Sequence, residues 1–181
     1  MKKVFIVHGL GSAPDHAWRG WLGKKLTEMG IHAELPQMPG GDDPICDEWV
    51  DLLKNITKKE DENYLIGHSL GARAVLKFLE SGGEAKGVII VSGRFGSPKS
   101  DILHSFYDNP LNFKKIKESA NFFAVFHGDN DPNIPCEDGR KIAEGLDSKF
   151  MVIENGGHLS GKAGWNEFPE VLEELLKIMD N

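Results

Sequence analysis

The chain predicts a three-layer α/β/α sandwich on a mostly parallel sheet, and three observations carry that prediction. Short, nearly continuous apolar runs recur along the sequence. Each is followed by a loop and then by apolar residues at helical spacing. One of the strand-to-helix passages also carries Gly67-His68-Ser69-Leu70-Gly71, a serine between two glycines at a sharp turn. Strands that are apolar throughout are buried on both faces, which is the property of parallel sheets covered by helices through right-handed crossovers. A chain of 181 residues suits one domain with a single core, so residues 1–181 are expected to form one unit.

The elements follow in order. Val4 to Val7 is the first strand, followed by a glycine-rich loop and a helix from about Trp18 to Met29, closed by Gly30 as a C-cap glycine. His32 to Leu35 reads as the second strand, Pro36 to Pro44 as a turn-rich loop, and Trp49, Leu52, Leu53 and Ile56 as one face of an amphipathic helix. Asn63 to Ile66 is the third strand and leads into Ser69; Ala72, Val75, Leu76 and Leu79 continue at helical spacing. Gly87 to Val91, Phe122 to Phe126 and Phe150 to Ile153 are the remaining strands. The stretch from Gly96 to Ser119 departs from this rhythm, with Phe106 and Tyr107 at its centre and a helix around Phe113 to Lys117. It is too short for a full cap domain and reads either as a surface connection or as a minimal lid. Such sheets bind ligands outside the carboxyl ends of their strands, so the loops after Val7, Ile66, Val91, Phe126 and Ile153 are expected to form the site.

Composition excludes several function classes. Lys and Arg number 21 against 28 Asp and Glu, a formal net charge of −7, which offers no electrostatic footprint for nucleic acid. Cys46 and Cys136 are too few for a disulfide framework and have no metal-ligand spacing, as in proteins of a reducing compartment. Met1-Lys2-Lys3 is basic, but the apolar run after it ends at His8-Gly9, short of a secretory segment, and no span approaches the roughly 20 apolar residues of a membrane helix. A soluble cytoplasmic protein with no nucleic-acid or membrane partner, no metal and no cofactor is expected.

The chemistry centres on Ser69. Gly-x-Ser-x-Gly at a strand-to-helix turn is the nucleophile-elbow arrangement, in which small residues two before and two after let the chain pass closely. An aliphatic hydroxyl needs a base, and the base needs an acid that orients it. In this kind of sheet the chain order is serine, acid, histidine. His158, in Asn155-Gly156-Gly157-His158 after the last strand, is the expected base. His127-Gly128-Asp129-Asn130-Asp131-Pro132 offers two carboxylates, of which Asp131 is preferred because Pro132 biases it toward an extended conformation. Asp129 is expected to structure the turn by bonding its own backbone, a reading preferred over a metal site of His127, Asp129 and Asp131. The backbone N–H groups of Leu70, at the start of its helix, and of Leu10, in the loop after the first strand, are the expected oxyanion donors. Gly9-x-Gly11 also resembles the opening of a dinucleotide fingerprint, but Pro14 stands where Gly or Ala is required.

At these residues the sequence resembles the α/β-hydrolase superfamily, and more closely its small serine hydrolases related to retinoblastoma-binding protein nine. The likeness runs through Val7-His8-Gly9, Asp47-Glu48-Trp49, the elbow, Gly128-x-x-Asp131-x-x-Ile134-Pro135 and Gly157-His158. It implies a triad of Ser69, Asp131 and His158 with esterase-like activity on small acyl substrates. Retinoblastoma binding would call for Leu-x-Cys-x-Glu, but Pro44 replaces the leucine before Cys46 and Glu48, so no such partner is assigned. Leu10, Trp18, Leu70, Phe95, Ile134 and Leu159 are the expected substrate contacts. The alternative is a binding protein that keeps the fold and holds a partner in its cleft or lid without turnover.

Overall fold

Alternate residues of each strand sort into two apolar layers. In β1 (Lys2–Val7), Phe5 and Val7 enter one core cluster while Val4 and Ile6 enter the other, the period-2 alternation of a strand buried on both sides. The computed structural model of the chain describes residues 1–98 and 100–181; Lys99, within the irregular 96–119 stretch, lies outside the described residues. Helices α1 (Trp18–Glu28) and α7 (Pro169–Met179) cover one face through Trp18, Leu22, Leu26, Val171 and Leu175. Helices α2 (Cys46–Ile56), α3 (Leu70–Glu80) and α6 (Cys136–Leu146) cover the other through Trp49, Leu53, Val75, Leu79 and Ile142. Between these layers lie β1, β2 (His32–Glu34), β3 (Glu62–His68), β4 (Ala85–Val91), β5 (Ala120–Gly128) and β6 (Lys149–Ile153). All neighbours pair in parallel, in the order β2-β1-β3-β4-β5-β6. The expected three-layer α/β/α sandwich is the fold.

That strand order positions the site. β2 and β3 flank β1 on opposite sides, so the connections leaving β1 and β3 run to opposite faces of the sheet. In open α/β sheets ligands bind outside the carboxyl ends of the strands at such a switch point. The first helix ends as its sequence requires: Ile31 N–H donates to the Leu26 carbonyl (2.9 Å), Gly30 N–H donates to that of Thr27 (3.0 Å), and Gly30 takes the left-handed conformation, φ 76°.

The 96–119 stretch holds more structure than the one helix expected. After a 3₁₀ turn at Asp101–Leu103 come α4 (His104–Tyr107) and α5 (Phe113–Glu118). Phe106 is fully buried and meets Trp49 edge-on at 5.4 Å, so this segment is a strap pinned to α2 and not merely a surface connection. No helix among the described residues is long and apolar enough to cross a membrane.

Candidate active site

Close packing at the end of β3 imposes the glycines around Ser69. A Cβ on Gly67 would lie 2.6 Å from Ala72 Cα and from the Gly71 carbonyl oxygen, and a Cβ on Gly71 would collide with the carbonyl oxygens of Val7 and His8. Ser69 itself sits at φ 56°, ψ −117°, a backbone region that a non-glycine residue occupies only at a cost of order 1–3 kcal/mol. Its N–H donates to the Val91 carbonyl (2.9 Å), and α3 begins at the next residue. The hydroxyl thus stands half-buried at the carboxyl edge of the sheet.

Three strand ends converge on that hydroxyl. The Ser69 hydroxyl donates to His158 Nε2 (3.0 Å), and His158 Nδ1–H donates to Asp131 Oδ2 (2.7 Å). The carboxylate leaves only one tautomer, with the proton on Nδ1 and the lone pair of Nε2 facing Ser69. The Asp131 side chain is fully buried. Burial alone would raise its pKa, but hydrogen bonds from His127 and His158, the His158 charge and the Asn133 N–H outweigh burial and hold the carboxyl far below the usual carboxylate range. Its Oδ1 accepts from the N–H groups of Asn133 (2.8 Å) and Ile134 (3.0 Å), closing the turn ahead of α6.

The loop after β1 passes directly over the serine: a Cβ on Gly9 would stand 3.0 Å from Ser69 Cβ and 3.4 Å from its Oγ. His8 fixes this loop. Its Nε2 accepts from the Met38 N–H (3.0 Å), so the proton is on Nδ1, which donates to the Gly9 carbonyl (2.7 Å). Burial is the main reason that its pKa is lowered. In a trans peptide the N–H points away from the carbonyl, so the Leu10 N–H faces opposite to the His8 bond. The Leu70 N–H lies in the first turn of α3, where amides have no intrahelical partner.

The remaining expected contacts divide. Leu10 is half-buried, Leu70 packs into the α2/α3 cluster beside it, and Ile134 is buried with its carbonyl accepting from His127 Nε2 (3.0 Å). Phe95 is exposed and stacks on Phe113 at 6.1 Å. Trp18 and Leu159, expected at the substrate surface, are instead wholly buried. The reason is that Trp18 opens the inward face of α1 and its indole N–H needs a buried acceptor, which it finds in the Leu159 carbonyl (2.8 Å). Asp129 also differs from expectation: its Oδ1 accepts from the N–H of Asn155, across in the His158 loop (2.8 Å), and not from its own turn. Among the described residues no group of three or more His, Cys, Asp or Glu is placed to hold a metal.

Three polar residues behind the site make contacts that the sequence reading does not anticipate, His127 among them although it is weighed there as a metal ligand. His127 Nε2–H points at Asp131 Oδ2 (3.4 Å) as well as at Ile134. His68, inside the elbow motif, and Arg19, on α1, hydrogen-bond each other beneath it (3.2 Å). For His127 a signal existed, since Val7-His8-Gly9 and Phe126-His127-Gly128 repeat one pattern at the ends of two strands. For Arg19 none did, because an arginine on a surface-layer helix reads as solvated.

A sequence-family profile described as serine hydrolase matches residues 4–177. YdeN of Bacillus subtilis strain 168 is 33% identical over 179 residues, covering 96% of this chain and 94% of YdeN. Its crystal structure gives a TM-score of 0.92 at 29% identity, covering both chains completely. The serine hydrolase RBBP9 of Rattus norvegicus is 25% identical over 185 residues, 98% of this chain and 95% of the rat protein. Est1E of Butyrivibrio proteoclasticus shares the fold at a TM-score of 0.76 and 15% identity, over 99% of this chain and 89% of Est1E.

Proposed function

Since this chain belongs to the serine hydrolase family, we propose that it cleaves esters of small acyl groups, with Ser69 as nucleophile, His158 as base and Asp131 as the orienting acid. In this reading His158 Nε2 takes the Ser69 proton as Oγ attacks the acyl carbonyl carbon. The carbonyl electrons move onto oxygen, where the Leu70 and Leu10 N–H groups stabilise the charge. As the intermediate collapses, the bond to the leaving alkoxide breaks and His158 gives that oxygen its proton. Water, deprotonated by the same histidine, then attacks the acyl-enzyme and releases the acid and free Ser69.

The single observation that carries the proposal is the unbroken line from Asp131 Oδ2 through His158 to the Ser69 hydroxyl, at 2.7 and 3.0 Å, at a backbone-strained serine. The thiols do not compete: burial pushes Cys46 up to about 11 and also raises Cys136, so neither is a thiolate at neutral pH. The half-buried Leu10 in the loop over the serine is the apolar side chain best placed for a short acyl chain, and the strap is far smaller than a cap domain.

Labelling with a fluorophosphonate probe tests the proposal. Wild-type protein should be labelled covalently and Ser69→Ala should not. An unlabelled wild type, or equal labelling of Ser69→Ala, would refute it and leave a non-catalytic binding role. A chain-length series of p-nitrophenyl esters should give its highest kcat/KM among the short acyl groups.

A further inference from the structure

His68 is the last residue of β3, directly before the nucleophile, and is 4% exposed, yet the triad makes no use of its side chain. Its two ring nitrogens have chemically opposite partners. Nε2 faces the His158 carbonyl oxygen at 3.0 Å, and a carbonyl only accepts, so Nε2 carries a proton. Nδ1 faces an Arg19 guanidinium nitrogen at 3.2 Å, and a guanidinium only donates, so Nδ1 is a bare lone pair. The ring is therefore neutral and locked in one tautomer. Burial, then the charges of His158 and Arg19, also push its pKa down to about 3, against the hydrogen bond to the His158 carbonyl and the charge of Asp131, which raise it.

Arg19 is placed for this task at some expense. It is 1% exposed and touches no carboxylate among the described residues. Instead it donates to Ser12 Oγ (2.6 Å) and to the carbonyls of Ala13 (3.0 Å) and Pro14 (3.2 Å), which ties it to the loop after β1. Buried charge with no carboxylate in contact is costly, and burial lowers the guanidinium to about 10 although the charge of Asp15 opposes the shift. Any group able to accept a proton from His68 would permit the other tautomer; a guanidinium forbids it.

The loop that receives this bond is strained. Asn155 (φ 53°), Gly157 (φ 56°) and Leu159 (φ 45°) are all left-handed, so the His158 ring reaches Ser69 only while the backbone around it is held. Neighbouring α1 residues hold successive carbonyls of that loop: Trp18 bonds the Leu159 carbonyl directly, and Arg19 reaches the His158 carbonyl through His68. Trp18 also packs edge-on against the His68 ring at 5.8 Å.

We infer that His68 and Arg19 are positioning residues for His158: Arg19 fixes His68 as the Nε2–H tautomer, and that proton anchors the His158 carbonyl so that the ring stays aimed at Ser69 and Asp131. The inference rests on the triad reading above and adds a second pair of residues behind it.

Two variants and two NMR spectra test it on the full chain. Glutamine offers an acceptor and a donor at a separation like that of the imidazole nitrogens, so His68→Gln should keep kcat on p-nitrophenyl acetate within about threefold. His68→Met fills similar volume with neither bond, and should lower kcat about 10–100-fold, as expected for a misaimed catalytic group, with KM changed less than about twofold. Imidazole ¹⁵N NMR of the wild type should show His68 with protonated Nε2 and unprotonated Nδ1 from pH 8 to pH 5. In His68→Met the His158 Nδ1–H signal should shift or broaden. The inference falls if His68→Met matches wild type, if Gln and Met variants lose activity equally, or if His68 carries its proton on Nδ1. Should the wild type be inert toward both ester and fluorophosphonate, the hydrolase reading fails, and the NMR result alone then decides whether His68 holds His158.

Discussion

The His158 loop and the strap between β4 and α5 both lie beyond strand ends, but they are held in different ways. Between Asn155 and Leu159 every residue is tied through a backbone group: the Asn155 N–H to Asp129, the Gly156 carbonyl to the Trp165 indole, the Gly157 N–H to Asn130, and the next two carbonyls to His68 and Trp18, all at 2.7–3.0 Å. The strap is held instead by side chains of the helices beneath it, Trp49 of α2 against Phe106 and Arg73, Lys77 and Glu80 of α3. Buried Arg73 of α3 donates to the carbonyls of Phe106 (2.8 Å) and Asn109 (3.0 Å), covers the Tyr107 ring at 4.5 Å and has one guanidinium nitrogen with no partner among the described residues. Strain is stored where several bonds over-determine the backbone. Segments with few ties are the ones that open locally. Changes at the first loop should therefore act on kcat, and changes at the strap on stability and access.

The largest effect tests the His158 loop at its electrostatic end. Asp131→Asn keeps the shape but can donate to His158 Nδ1, which favours the wrong tautomer. Turnover of p-nitrophenyl acetate is expected to fall about 10⁴-fold, the loss known for such a substitution in a Ser-His-Asp triad. A fall below tenfold would show that the His158 loop is aimed without the carboxylate.

Acid sharpens the contrast next, since the buried neutral His68 lies behind the loop and not beneath the strap. Its folded pKa is below the ordinary value near 6.5, so the unfolded state binds the additional proton. Stability is therefore complete above about pH 6.5 and is lost as pH falls toward 3, with a slope approaching about 1.4 kcal/mol per pH unit for this one group. His8, also lowered by burial, acts in the same direction. Asp131 is depressed, so its contribution is present above the ordinary carboxylate range near 4 and disappears only below it. Urea titrations at pH 7 and pH 5 should show the loss in wild type and a shallower one in His68→Met; equal slopes would remove His68 as the source.

A single tie of the loop should matter less than the acid. Asn130 is exposed and among the described residues bonds only the Gly157 N–H (2.7 Å), one residue before His158. Asn130→Ala should reduce kcat about tenfold with KM unchanged, because one freed peptide misplaces His158 without touching substrate. A rise in KM alone would mean that the loop also shapes the pocket.

How far these regions can be read from sequence follows from the physics that holds each. Ser69, Asp131 and His158 were legible because each follows an apolar strand and the glycines of the elbow leave a pattern. The sheet was legible for the same reason, as Val88 to Val91 or Ile66 can only be buried. Trp18 and Leu159 were misplaced because proximity to the motif does not say which side of the backbone faces the crevice; both turned inward, where an indole N–H and a carbonyl satisfied each other. Arg19 and Arg73 were not legible at all. Each is a lone charge on a helix whose polar residues otherwise face water, and its burial depends on carbonyls or a ring contributed from 5–49 residues away. The strap was half-legible, since Phe106 and Tyr107 marked an apolar anchor but the short α4 carries too few residues for a periodic signal.

The smallest expected effect tests the strap itself. Helix α2 has Ile45 at its N-cap, with no side chain able to cap the first turn. Ser105 of α4 supplies the missing acceptor from outside, taking the Cys46 N–H at 3.1 Å, so the strap caps the helix on which Phe106 also packs. Ser105→Ala should cost about 1 kcal/mol, the ordinary value for a lost cap or neutral hydrogen bond, and should speed hydrogen exchange at the Cys46 amide and across α4. Because Ser105 touches no triad member, kcat should stay at the wild-type value. Measured together, faster exchange with unchanged turnover would separate the strap from the chemistry. A drop in kcat matching that of Asn130→Ala would join the two regions into one mechanical unit.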